Sequence, residues 1–570
     1  MRIIGIHDGH NASVCLLEDG KIKAALQEER ITRIKNDFTF PTNALKKILE
    51  ITNLSINDID QFAFASNHTP YSQTKAEMLE SYKASEGKSI NVFLKNSLRN
   101  TFAYKNYLKR RRESRIKSAL LLGINEKRIS FVEHHLCHAA AAYWGSDFNK
   151  NEKTLILTAD GGGDGLCATV SIAEKNKITR IAKVDWSDSI GSIYAKVTYL
   201  LGMVPNEHEY KLMGMSPYGD EKGAKLIYDK LDSWFTINEN SIIWSKAKQV
   251  PHTFYSYQFL KKEFERMRFD WIARGLQDWI EDILCKWVSN CISSTGIHNV
   301  ALGGGVFMNV KANKRISELK EVDQLFVFPS CGDETNAIGA AFATYANANE
   351  PADIEPVNHV YWGPEYNEKE ILNSIQHYNF KNCSISYEQK ENIETEVAKL
   401  LSSNEIVARF SGKEEFGARS LGNRAILANP SNSELIKEIN EMIKNRDFWM
   451  PFACSIKEDR ATDYVINPKN FKSQFMILSF DTTDKVKEIK AGTHPYDKSV
   501  RPQIVEEKTN KNYFKLITEF EKLTSIGGLL NTSFNLHGLP IVSSPEDALF
   551  VLDNSGLNYL AMGNYLIKKN

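Results

Sequence analysis

The chain lacks a charge imbalance: its 570 residues carry 71 Lys plus Arg against 71 Asp plus Glu. No global field draws it to an anionic partner, so neither duplex nucleic acid nor a membrane surface is expected. It also lacks paired cysteines. Eight are scattered singly with no CxxC, which speaks against a disulfide framework and for reduced thiols in the cytoplasm. No uninterrupted apolar stretch approaches the roughly 18 residues of a membrane span. The opening MRIIGIHDGH has no basic-then-apolar leader, so secretion is not expected. With 42% hydrophobic and 25% charged residues, the composition describes a soluble globular protein of two or three domains.

Two stretches repeat one design. IIGIHDGHNASVCLLEDGKIKAALQEE alternates β-prone runs with turns, and Glu18-Asp19-Gly20-Lys21 fits a tight hairpin, predicting a three-stranded meander. Residues 154–173 repeat the plan as TLILT, ADGGGDG and LCATVSI. Duplicated strand, Asp-Gly turn and strand units are how actin and sugar-kinase folds face two phosphate loops across a cleft. NVALGGGVFMN and LFVFPSCGDETNAIGAAFATYA then predict two strands, each entering a helix through a glycine-bearing turn. Such turns accommodate a phosphate or ribose. Close helix-to-strand packing is the competing explanation. Residues 70–125 read as a helical insert, and its basic run KRRRESRIK at 109–117 is a solvated face by default or an anion contact. Prolines and small residues mark a linker within Tyr345–Pro364, placed at 351–364, between domains at 1–350 and 365–570.

FVEHHLCHAA at 131–140 carries the chemistry. On a helix His134 and His138 share one face at i and i+4, while His135 points about 100° away. The pair His135 and His138 at i and i+3 is a geometric rival. No HExxH glutamate is present, which disfavours a zinc peptidase. Carboxylates from Asp160-Gly161-Gly162-Gly163-Asp164 or Cys331-Gly332-Asp333-Glu334 could complete a two-histidine site suited to Fe(II), Mn(II) or Zn(II). In the second domain, Arg419 and Arg424 stand beside glycines, the pattern of a bidentate anion grip. Thr532, Ser533 and Asn535 add short polar donors near by in sequence, a weak signal that an ordinary turn would also give.

Seven ordered motifs carry a family resemblance: HDGHNAS at 7–13, VEHHLCHAAAAY at 132–143, EYKLMGMSPYG at 209–219, LGGGVFMN at 302–309, CGDETNAIGAA at 331–341, GARSLGNRAILANP at 417–430 and NTSFN at 531–535. The chain resembles the O-carbamoyltransferases of the nodulation-protein and antibiotic-biosynthesis group. The resemblance implies an α/β protein with an N-terminal, duplicated, actin-like domain similar to threonylcarbamoyl transferases and a C-terminal YrdC-like α/β domain. It implies that the second domain makes carbamoyl adenylate from carbamoyl phosphate and ATP, with Mg2+ accompanying the nucleotide, and that the first transfers the carbamoyl group to a hydroxyl of a small-molecule acceptor. It assigns Fe(II) to His134, His138, Asp160 and Asp333, the role of base to His10, and an adenylate pocket to Gly304, Gly305 and Asn309. An imidazole is a suitable proton acceptor near neutral pH. Arg419, Arg424, Lys444, Arg501, Ser533 and Asn535 fall on the carbamoyl phosphate and ATP positions.

Two departures stand out. Met450 replaces an arginine of the family's Arg-Pro-Phe-Ala-Pro, and Ala418 replaces a proline, so one cation of the phosphate cage is missing. An actin-like small-molecule kinase and a non-catalytic nucleotide sensor are the rival classes. The acceptor is not legible, and a symmetric homodimer is the default oligomer.

Overall fold

The computed structural model describes residues 1–68, 74–86, 102–349 and 353–570, with the side chains of 102–105 excepted. The chain divides into two compact units. The first holds Met1–Glu28 and Asn36–Val357, and the second holds Glu29–Lys35 and Asn358–Asn570.

The first unit contains two five-stranded sheets built to one plan. In the first sheet Arg2–His7, Ser13–Glu18 and Lys21–Gln27 form an antiparallel meander. Gln61–Ala65 and Ile129–Val132 then extend it in parallel on the other side of Arg2–His7. In the second sheet Thr154–Gly163, Leu166–Glu174 and Lys177–Asp185 form the meander. Asn299–Gly303 and Gln324–Val327 extend it in parallel. Both sheets therefore run 3-2-1-4-5, and the first unit is a duplicated actin-like fold. The expected hairpin at Glu18–Lys21 is present, its Asp19 and Gly20 both at positive φ (47° and 77°), as a two-residue loop of the primed type requires.

Two alanine-rich helices sit between the sheets. Asn336–Ala348 packs on the first sheet, His134–Gly145 packs on strands of the second, and the two pack on each other. Small residues allow this closeness: a Cβ on Gly339 would lie 1.9 Å from the carbonyl oxygen of Cys137. Here glycine serves close helix-to-helix packing, a role apart from the helix-to-strand packing named above.

The insert expected over 70–125 lies partly outside the described residues; within them are helices Lys75–Ala84 and Phe102–Leu121. The basic run lies in the second helix and most of it is exposed, in line with a solvated face, but Arg111 and Arg115 are buried. Arg115 is buried, grips Asp8 through two bonds of 2.8 and 2.5 Å, and donates to the carbonyls of Ala65 and Ser66. A buried charge is retained only when paired and hydrogen-bonded in this way.

The second unit is a mixed α/β domain around one eight-stranded sheet. Its centre is Val407–Phe410, Arg424–Ala428, Gly528–Ser533 and Ala453–Lys457, successively antiparallel. Among the described residues no helix is long and apolar enough to cross a membrane.

Candidate functional site

The chain begins the helix His134–Gly145 with Glu133 as its N-cap, accepting the N–H of His135 (3.1 Å) and Leu136 (2.8 Å). The cap fixes the first turn, which carries His134 and His135, and His138 follows one turn on. Asp160 lies in Thr154–Gly163 just past the regular pairing of that strand, and Asp333 lies three residues before the helix Asn336–Ala348. These three elements bring His134, His138, Asp160 and Asp333 together, one ligand atom of each within 4.8 Å of the others. His134 Nε2 and His138 Nε2 stand 3.1 and 3.3 Å from Asp160 Oδ2, and both stand 3.5 Å from Asp333 Oδ1. A divalent ion with bonds of about 2.0–2.2 Å requires separations of this size. The donor set of two imidazoles and two carboxylates fits Fe(II), Mn(II) or Zn(II) with coordination positions to spare.

The surroundings hold the ligands in place. Ser66 Oγ meets His134 Nδ1 at 2.9 Å, leaving Nε2 to face the carboxylates. Gly163 leaves room for the same ring, because a Cβ there would sit 2.1 Å from His134 Cγ. Burial lowers the basicity of His134, but the Asp333 and Asp160 carboxylates outweigh it and raise the imidazole to about 10. Partial burial works against the charge of Asp160, but the hydrogen bonds from His134 and His138 hold it well below the usual carboxylate range. Uncompensated negative charge around two imidazoles is the electrostatic signature of a cation site.

His135 turns away, with Nδ1 2.9 Å from Thr158 Oγ1 in the core of the second sheet. Of the two histidine pairs that spacing allowed, the fold assembles the i, i+4 pair. Asp164 is not in the cluster, and its carboxylate accepts the N–H groups of Asn67, His68 and His134. Glu334 bonds to Ser330 and Asn11 instead, and burial raises it to about 7. His7 was missed by sequence reasoning. It is buried with Nε2 4.0 Å from Asp333 Oδ2, and burial pushes it down to about 4. Its approach to Asp333 is a tertiary contact across 326 positions, and no spacing rule reveals it.

His10 packs its ring edge-on to Phe38 at 5.2 Å. Its Nε2 is buried without a hydrogen-bond partner. Gly304 sits at φ 98°, where a Cβ would meet the Ala159 carbonyl at 2.3 Å, and Gly305 borders Asp160 Oδ1. Asn309 caps the helix Val310–Glu318 and exchanges two 2.9 Å bonds with Gln277.

In the second unit Lys444 is buried. Its Nζ donates to the Ser533 and Asn535 carbonyls, to Asn535 Oδ1 (2.8 Å) and to Ser533 Oγ (3.2 Å). Burial, with Arg446 and Lys35 adding repulsion, holds its ammonium well below the ordinary range. Arg501 is depressed likewise by burial, Arg419 and Arg446. Lys444, Arg446, Arg501 and Arg419 thus form one cation cluster, and no carboxylate offsets the depression of Lys444 or Arg501. Arg424 is placed elsewhere. It is fully buried at the start of its strand, donates to the carbonyls of Pro364, Ser411 and Gly412, and stacks 3.7 Å from the Phe410 ring centre. Arg446 belongs to the cluster and was missed. The signal was its place two residues after Lys444, matching Ser533 and Asn535 two residues apart.

The comparisons with known proteins agree with the motif order. Residues 2–342 match the family model described as carbamoyltransferase N-terminus, and residues 398–569 match carbamoyltransferase C-terminus. An uncharacterized protein of Methanocaldococcus jannaschii is 33% identical over 584 residues, covering 100% of this chain and 99% of its own. Nodulation protein NolNO of Sinorhizobium fredii is 30% identical, covering 98% of this chain and 79% of its own. Nodulation protein U of Bradyrhizobium diazoefficiens is 26% identical across 94% and 92% of the two chains. Among solved structures a ROK hexokinase from Thermus thermophilus aligns with 61% of this chain and all of its own at 10% identity and a TM-score of 0.32, which adds nothing to the fold the sheets already define. With both family models matched in order and a relative aligned over its full length, the chain belongs to the carbamoyltransferase family.

Proposed function

We propose that this carbamoyltransferase is an ATP-dependent O-carbamoyltransferase working in two steps. The observation that carries the reading is the pairing of two sites of opposite character in one chain. One is a two-histidine, two-aspartate cluster in the first unit, and the other is a cation cluster in the second whose Lys444 and Arg501 are depressed by burial and by neighbouring cations.

In the first step, water cleaves carbamoyl phosphate to carbamate and phosphate, and the carbamate oxygen attacks the α-phosphorus of MgATP, giving carbamoyl adenylate and releasing pyrophosphate. Arg419, Lys444, Arg446 and Arg501 hold the phosphates, since charge-assisted contacts from several cations are what small polyanions demand. Lys444 is oriented for this by Ser533 and Asn535. In the second step the carbamoyl group passes to an acceptor hydroxyl and AMP leaves. His10 takes the hydroxyl proton at Nε2, which is buried and has no protein partner. Gly304 and Gly305 admit the adenylate phosphate close to the backbone, and Asn309, held by Gln277, borders it. A divalent ion, Fe(II) by the family resemblance, would be held by His134, His138, Asp160 and Asp333 and would supply Lewis acidity toward the carbamoyl group.

The test is incubation with ATP, carbamoyl phosphate and a panel of hydroxylated metabolites, followed by mass spectrometry. The reading expects AMP, pyrophosphate and an acceptor heavier by one carbamoyl group. Formation of ADP would instead identify a kinase, and absence of turnover across the panel would favour a nucleotide sensor.

A further inference from the structure

The basic run of helix Phe102–Leu121 crosses the edge of the first sheet, and its arginines have different partners there. Arg115 is neutralised by Asp8. Arg112, three residues earlier and on the same side of the helix, stands 4.0 Å above the ring of Phe131, against which Arg115 also lies at 5.1 Å. Unlike Arg115 it is exposed, and among the described residues it pairs with no carboxylate within 4.0 Å. His68 completes the group. Its N–H donates to Asp164 Oδ1 at 3.0 Å, and Asp164 Oδ2 accepts the N–H of His134 at 2.9 Å, so one carboxylate ties His68 to a residue of the two-histidine cluster. His68 is half-buried, and its enclosed Nδ1 has no hydrogen-bond partner among the described residues, which favours the tautomer that carries its proton on Nε2. Burial lowers the basicity of this ring and Asp164 raises it, while Arg112, Arg115 and Arg111 all add repulsion.

We propose that His68 and Arg112 form an anion subsite beside the two-histidine cluster, holding a phosphate or carboxylate borne by the hydroxyl acceptor. The proposal rests on the reading of the first unit as the transfer site and names the acceptor class that reading left open: acidic hydroxyl compounds such as sugar phosphates, nucleotides or uronic acids. Position supports it. The subsite is one carboxylate away from His134, and Arg115 links the same helix to Asp8, two residues before His10. Charge supports it as well. Asp8 offsets Arg115, and the Asp164 carboxylate is engaged by the N–H groups of Asn67, His68 and His134, which leaves the Arg112 guanidinium unmatched. Phe131 holds that guanidinium in place, and a guanidinium meets a phosphate or carboxylate with two parallel hydrogen bonds. Gly304 and Gly305, given above to the adenylate phosphate, border Ala159 and Asp160 rather than Asp164. The anion at His68 and Arg112 is therefore the acceptor's.

The test has two arms, both on the full chain. In the first, equilibrium binding of inorganic phosphate is measured for wild type, Arg112→Gln, Arg112→Lys and Arg501→Gln. Wild type should bind phosphate in both units. Arg112→Gln should weaken one of these sites about tenfold, the loss expected for one charge-assisted contact, while the site that Arg501→Gln weakens keeps its affinity. Arg112→Lys should lose less than Arg112→Gln, since it keeps the charge. In the second arm, glucose, glucose 6-phosphate and glucuronate are compared as acceptors in the presence of ATP and carbamoyl phosphate. At least one charged compound should exceed glucose in kcat/KM by about tenfold, and Arg112→Gln should erase the difference. Which charged compound leads tells whether the subsite takes phosphate or carboxylate. Unchanged phosphate binding in Arg112→Gln overturns the proposal, and so does equal use of glucose and its charged counterparts. A lowered Tm with equal losses on all three acceptors also overturns it, because Arg112 would then be a structural strut. If Arg112-dependent phosphate binding is found but nothing is carbamoylated, the anion subsite stands and the failure belongs to the transfer reading of the first unit.

Discussion

At the scale of single residues, the two neighbouring histidines make opposite predictions. His138→Ala removes one of four ligands, so the variant should fold, lose bound metal on elemental analysis and lose transfer activity. His135→Ala should keep the metal but lower Tm, because it empties a fully buried site bonded to Thr158. Equal loss of metal in both would restore the i, i+3 pair. Gly163→Ala places a methyl group against the His134 ring, and metal content should fall although no ligand has changed. The helical period made the His134 and His138 pair legible in the sequence, while Asp160 and Asp333 came from motif resemblance. His7 was not legible, since it reaches its site by a contact between distant segments. Arg419 and Arg424, five positions apart among glycines, looked alike in sequence. Only the start of the strand Arg424–Ala428 sends the second into the core under Phe410.

At the scale of elements, helix Ile190–Leu200 meets helix Lys75–Ala84 through a buried cation. Lys196 Nζ lies 3.6 Å from the Tyr82 ring centre, 4.7 Å from that of Phe254 and 3.2 Å from Ser85 Oγ. Burial pulls its ammonium down to about 7. Between pH 7 and about 10 the unfolded chain therefore holds a proton on this lysine that the folded chain has released, and stability rises with pH across that window. The contribution is on the order of 4 kcal/mol as an upper bound. Lys196→Met should be more stable than wild type at pH 6.5, and the advantage should shrink toward pH 10. Denaturant unfolding at several pH values checks this, and parallel curves for the two proteins would refute the buried charge. The elements were largely legible: the first meander, the first two strands of the second, the strand-to-helix turns and the Asp-Gly hairpin follow from local patterning, while the strand Lys177–Asp185 does not. The role of AIGAAFA was not, because glycine spacing cannot tell a ligand turn from a helix crossing.

At the scale of the whole molecule, the repeated strand, Asp-Gly turn and strand foretold the two sheets of identical order. Composition and motif order separated the two kinds of chemistry along the chain. The allegiance of Glu29–Lys35 to the second unit escaped sequence reading, because a seven-residue segment carries too little pattern to announce its neighbours. The central claim is that activation and transfer are chemically separate and use different side chains. The most direct measurement assays Arg419→Ala and His138→Ala twice each. Pyrophosphate release from ATP and carbamoyl phosphate is followed first, and then acceptor carbamoylation from presynthesised carbamoyl adenylate. The account predicts opposite patterns: Arg419→Ala releases no pyrophosphate but uses the supplied adenylate, and His138→Ala releases pyrophosphate but fails at transfer. If Arg419→Ala cannot use the supplied adenylate either, activation and transfer share one set of residues and the two-step division is wrong.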